Sequence, residues 1–84
     1  MRNIVAVFNN RNQAMQFASY LKGLNVRNKT ISTPRELSVS CGLSVIFLES
    51  GLPQAKFIIS RNQMSTFQGF YFELNGYMKK YQRV

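Results

Sequence analysis

Asn3-Ile-Val-Ala-Val-Phe8 is a run of apolar residues closed by Asn9 and Asn10. A short unbroken apolar stretch of this kind suits a strand buried on both faces, which places it in the centre of a sheet. Asn10 stands where a helix N-cap is needed, and Gln13 follows at capping-box spacing. Ala14, Phe17, Ala18 and Leu21 then recur on one helical face, with Leu24 continuing it, and Gly23 and Asn25 offer a stop. The spacing predicts a helix over roughly Asn10–Gly23. Further on, Val26–Ser32 reads as an extended but polar edge strand whose charges discourage aggregation. Leu43–Leu48 is a second buried strand. Gly51-Leu-Pro53 opens a helix running to Arg61, although Phe57-Ile-Ile59 could also be strand. Thr66–Leu74, with Phe67, Phe70, Tyr71 and Phe72, suits a last strand.

The order β-α-β-β-α-β predicts an α+β fold of the ferredoxin-like kind: a four-stranded antiparallel sheet with two helices on one face. The first and third strands, the two most apolar, would be central and the second and fourth would be edges. The uncovered sheet face would then be apolar enough to favour a homodimer.

Composition narrows the functional classes. The chain has 84 residues, one cysteine, no histidine and seven phenylalanines, and 45% of its residues are apolar. This fits a single folded domain over residues 1–84 with a small core. No apolar run approaches the ~20 residues that span a bilayer. Met1-Arg-Asn-Ile4 lacks the long apolar region of a signal peptide, and a lone cysteine fits a reducing compartment, so the cytoplasm is expected. With no His, no Asp and only Glu36, Glu49 and Glu73, acid–base hydrolysis, a metal site and a bound cofactor are all poorly supplied. The five glycines are isolated, so there is no phosphate-cradling loop.

Eleven Lys and Arg against three Glu leave a net charge of +8. That attracts nucleic acid, anionic surfaces or acidic proteins, but the basic residues are scattered singly except at Lys79-Lys80. Phe67-Gln-Gly-Phe-Tyr-Phe72 has the aromatic density of a base-stacking sheet without the matching motif on the first strand, so core or dimer packing is its expected use. Residues 75–84 read as a basic, partly ordered tail.

Thr33-Pro-Arg-Glu-Leu-Ser-Val-Ser-Cys-Gly-Leu-Ser-Val45 is the passage that offers chemistry. Cys41 is the only soft nucleophile of the chain. Pro34 fixes φ at a helix start or turn, and Gly42 supplies a backbone position that can take φ > 0 beside the thiol. By topology, Cys41 should share a sheet end with Asn10 and Arg11 at the start of the first helix. Arg35 and Arg61 are expected near the same end. A helix N-terminus and these arginines would favour a thiolate, making Cys41 accessible and more acidic than the ~8.5 of a free cysteine. Two features oppose this. A lone cysteine is commonly just a small buried side chain. Thr33 and Glu36 also have capping-box spacing, so Pro34–Ser40 could be a short helix whose C-terminus raises the thiol pKa.

The segment Thr33, Pro34, Arg35, Glu36, Ser38, Ser40, Cys41 and Gly42 resembles the signature of a small bacterial family of selenium/sulfur carrier-like proteins. The opening strand to Phe8 and the helix with Ala14 and Leu21 resemble it too, so the likeness covers about the first 50 residues. It implies a carrier thiol at Cys41 in an environment of Asn10, Arg11, Pro34, Arg35, Ser40 and Gly42. Donor and acceptor proteins for sulfur or selenium would be its partners, and it would have no independent enzymatic activity. The alternative is a non-catalytic module that binds nucleic acid or protein through a cationic surface, with Cys41 structural. A carrier requires Cys41; a binding module tolerates Ser there.

Overall fold

Buried apolar runs set the middle of the sheet. The computed structural model describes residues 2–37, 42–74 and 80–84. Its elements are β1 (Asn3–Phe8), α1 (Arg11–Gly23), β2 (Asn28–Ser32), a 3₁₀ turn (Arg35–Leu37), β3 (Leu43–Leu48), a 3₁₀ turn (Glu49–Gly51), α2 (Leu52–Arg61), β4 (Phe67–Leu74) and β5 (Lys80–Arg83). β1 is hydrogen-bonded on one side to β3 and on the other to β4, and all pairs are antiparallel. Every residue from Ile4 to Phe8 is buried, as its unbroken apolar sequence requires.

The sheet has five strands, in the order β2-β3-β1-β4-β5. A four-stranded ferredoxin-like sheet would leave β4 at an edge; here β5 pairs with it from Tyr71↔Arg83 to Leu74↔Lys80. Lys80-Tyr-Gln-Arg83 shows no apolar alternation. It joins the sheet through backbone pairing, which leaves little trace in composition.

Both helices pack on one face. Ala14, Phe17 and Leu21 of α1 and Ala55 and Ile58 of α2 share a core with Ile4, Ala6, Phe8, Val45, Phe47 and Phe70. The phenylalanines are the centre of that core. Phe8 lies 5.2 Å from Phe17, and Phe67 lies 4.8 Å from Phe70, in the tilted and edge-on geometries that rings prefer. The aromatic strand is thus spent on packing.

The caps explain where α1 starts and stops. Asn10 Oδ1 accepts the Gln13 backbone N–H at 3.1 Å. The Gln13 side chain does not return to Asn10; its Oε1 accepts from the N–H and hydroxyl of Thr66, tying α1 to the approach of β4. At the other end Val26 N–H bonds to Leu21 O and Asn25 N–H to Lys22 O, the paired bonds of a Schellman motif. Its left-handed residue is Asn25, with φ 62°, and not Gly23.

The face away from the helices is not left bare. Register puts Val5, Val7, Ser44, Ile46 and Tyr71 on it, and Val5, Val7 and Ser44 are buried within the single chain. The link after β2 folds over this face, where Thr33 meets Ser44, and its 3₁₀ turn packs against β5. Arg83 lies across Gly69, which has φ 138° and whose missing Cβ would stand 3.1 Å from the guanidinium. The apolar face expected to drive a homodimer is therefore largely covered from within. Among the described residues, no helix is long and apolar enough to cross a membrane.

Candidate functional site: the link between β2 and β3

The ladder between β2 and β3 closes at Ser32↔Leu43, and Thr33 N–H then bonds to Gly42 O at 3.2 Å. That bond pins both ends of the link that contains Cys41. A second tie lies just beyond it. The hydroxyls of Thr33 and Ser44 are 2.7 Å apart. Ser44 is fully buried, so this contact satisfies a polar group that would otherwise be stranded among valines.

Gly42 is needed for space rather than for conformation. A Cβ there would stand 2.6 Å from the carbonyl oxygen of Phe8 and 3.1 Å from Thr33 Oγ1. Its φ is not in the left-handed region, so the freedom that a glycine offers there is not used; among the described glycines Gly69 alone is in that region. The requirement comes from the backbone of β1, which passes directly beneath.

Pro34 O accepts from Leu37 N–H at 2.9 Å, making the short 3₁₀ turn Arg35–Leu37. The Thr33 hydroxyl, weighed from sequence as a helix cap, meets Ser44. A turn of three residues carries little macrodipole, so the described part of this link supplies no substantial helix C-terminus. Arg35 and Glu36 are exposed, while Pro34 and Leu37 are half-buried. Ser40 and Cys41 lie outside the described residues.

The convergence is expected on Cys41, which lies outside the described residues; its neighbours are placed as follows. Gly42 reaches the Phe8 end of β1, beyond which Asn10 caps α1. Asn10 is occupied as a cap, and Arg11 is exposed on the first turn of the helix. Arg35 is elsewhere. Its 3₁₀ turn packs against β5 over the face opposite the helices, so Arg11 and Arg35 sit on opposite sides of the sheet. Arg61 instead holds its guanidinium over the Phe57 ring, 5.6 Å from the centroid.

The sequence reading missed Tyr81. Its phenol is held above the ordinary value of 10.0, first by burial and then by the carboxylates of Glu73 and Glu36. Glu36 belongs to the link and Tyr81 to β5, so the two are neighbours across the covered face. The missed signal was Ser44: one hydroxyl in an apolar strand demands a partner, and Thr33 was available. Among the described residues no three His, Asp or Glu side chains gather as a metal site would need.

The family described as "Putative Se/S carrier protein-like" matches residues 3–71. The chain belongs to this family. The match runs from β1 into β4 and includes the whole β2–β3 link with Cys41; β5 lies beyond it. No curated protein and no solved structure matches the chain.

Proposed function

We propose that this Se/S carrier-like protein accepts a sulfur or selenium atom on Cys41, holds it, and yields it to an acceptor protein in the cytoplasm. The observation that carries the reading is family membership across a segment containing the chain's single cysteine. The chemistry needs nothing beyond a thiolate and a donor persulfide. Cys41–S⁻ attacks the terminal sulfur of R–S–SH; the donor S–S bond breaks, a Cys41 S–S bond forms, and R–S⁻ leaves. The products are Cys41–S–SH and the donor thiolate, so no external oxidant or reductant is required. A donor R–S–SeH gives Cys41–S–SeH in the same way. Discharge reverses the roles, with an acceptor nucleophile taking the terminal atom and Cys41 departing as thiolate.

The ties at Thr33 and Gly42 support this use, because they hold both ends of the link that contains Cys41. Arg35, exposed on the same link, is the cation assigned to stabilise the persulfide anion. Arg11 is not assigned that role, since it lies across the sheet.

The test is mass spectrometry after incubation with a cysteine desulfurase and free cysteine. Wild type should gain the mass of one sulfur atom, reversibly under dithiothreitol, and Cys41→Ser should not. Iodoacetamide alkylation followed across pH should place the Cys41 thiol below the ~8.5 of a free cysteine. No mass gain on wild type, or alkylation only after denaturation, refutes the carrier reading.

A further inference from the structure

Three adjoining depressions, of about 270, 550 and 240 Å³, all share Arg27 in their walls. One opens toward the 3₁₀ turn before α2, one between α1 and β2, and one along β2 and β3. Lys22 lines the second and Lys29 the third, and Lys22, Arg27 and Lys29 are all exposed. No carboxylate lines any of the three. Among the described residues the ion pair is Arg2–Glu49, and Glu36 and Glu73 are grouped around Tyr81, toward the opposite edge of the sheet. Lys29 pairs with Ile46 and so lies toward the face away from the helices, whereas Lys22 belongs to α1 on the helix face, so the cations flank the β2 edge from its two sides.

Two further observations specify what would fill it. β2 is the outermost strand, so one side of its backbone pairs with no strand among the described residues. Gln54, in the wall of the first depression, has a buried Oε1 without a hydrogen-bond partner. An unpaired strand edge and a lone acceptor both call for N–H donors, which a peptide backbone supplies along its whole length. Exposed aromatic rings, on which nucleic-acid bases stack, are absent from the lining; the one aromatic there, Phe47, is buried. One lysine would suffice to blunt an edge strand, and three cations around lined depressions exceed that need.

We propose that the outer edge of β2, with the depressions around Arg27, docks an extended acidic segment of a partner protein by strand addition. The direction matters. β2 runs about 13 Å from Asn28 to Ser32 and leads straight into the link that contains Cys41. A partner strand anchored by its carboxylates at Arg27 and Lys29 would extend alongside β2 to that link. The inference deepens the carrier reading, and rests on it, by naming the surface that a sulfur or selenium partner presents.

The experiment is done on Cys41→Ser protein, so its outcome does not depend on the thiol. The probe is the peptide acetyl-Glu-Val-Glu-Thr-Glu-Val-Glu-amide, titrated into isotope-labelled protein by NMR. Saturable shifts concentrated on residues 28–32 and on the Gln54 side-chain amide are expected. The Arg27→Glu, Lys29→Glu double variant, with an unchanged circular dichroism spectrum, should weaken binding at least about tenfold. No binding to the parent overturns the proposal. So does equal binding by the peptide with Gln in place of every Glu, or by an oligothymidylate of equal charge at the same residues.

Discussion

Gly42→Ala is the substitution for which the structure dictates the largest effect from the smallest change. The added Cβ would meet the Phe8 carbonyl oxygen at 2.6 Å, a distance that real Cβ atoms essentially never adopt, and Thr33 Oγ1 at 3.1 Å. Neither neighbour can easily give way. Phe8 is fully buried in the central strand and paired on both sides, and Thr33 is held by Ser44 and by the Gly42 carbonyl. Forcing a methyl into such a contact costs about 1–3 kcal/mol through strain and backbone shift. The backbone nature of the Phe8 contact argues for the upper half, about 2–3 kcal/mol. In a domain of this size that lowers Tm by roughly 8–20 °C. Gly23→Ala is the control. Nothing lies within 4 Å of the point where its Cβ would stand, and its φ is not in the left-handed region, so the variant should be unchanged or gain about 0.5 kcal/mol. Urea denaturation of the two variants beside wild type measures both. A Gly42→Ala loss below about 0.5 kcal/mol, with the link unmoved in a crystal structure, would refute the steric reading.

Thr33→Val strips the partner from a fully buried Ser44 hydroxyl and should cost about 1–3 kcal/mol; adding Ser44→Ala should restore part of that loss, and a double-mutant cycle measured by urea denaturation shows whether it does. Tyr81 makes stability depend on alkaline pH. Because its pKa is raised in the fold, the folded state keeps the phenolic proton longer than the unfolded chain does. This contribution is fully present below the unfolded value of 10.0 and is lost as pH rises through the folded pKa. Tyr81→Phe should therefore flatten the fall in Tm above pH 10.0 relative to wild type, and parallel curves would count against the burial and the Glu73 and Glu36 contacts.

What could be read from the residues follows from how local each signal is. β1 and β3 are apolar runs, and α1 begins at a side-chain cap three residues from its partner, so nearest neighbours in sequence suffice to find them. β5 has no such mark. Its residues are half or fully exposed, and it exists because β4 offers a free backbone edge. Of the short helix weighed for Pro34–Ser40, the described part forms a 3₁₀ turn at Arg35–Leu37. The Thr33 hydroxyl meets the buried Ser44, eleven residues away, and no local pattern announces that partner. Gly42 could be marked from the sequence for its freedom in φ, a local property, whereas the carbonyl that excludes a side chain there belongs to Phe8.

The contacts that anchor the link fall inside the matched residues, whereas part of what covers the open face does not. Phe8, Thr33, Gly42 and Ser44 all lie within residues 3–71; Tyr81 and Arg83 lie beyond. The anchors act on the two ends of the link through the β1 backbone and a buried hydroxyl pair, so they set where the chain leaves and re-enters the sheet irrespective of β5. The β5 side chains act instead on the middle of the link, through its 3₁₀ turn, and on the open face through Gly69. Two separable constraints therefore govern the segment that bears Cys41. One is steric and central, and disturbing it should register as lost stability. The other is peripheral, the packing of the 3₁₀ turn that carries Glu36 against β5, and disturbing it should leave the core of Ile4, Phe8, Phe17 and Phe47 intact.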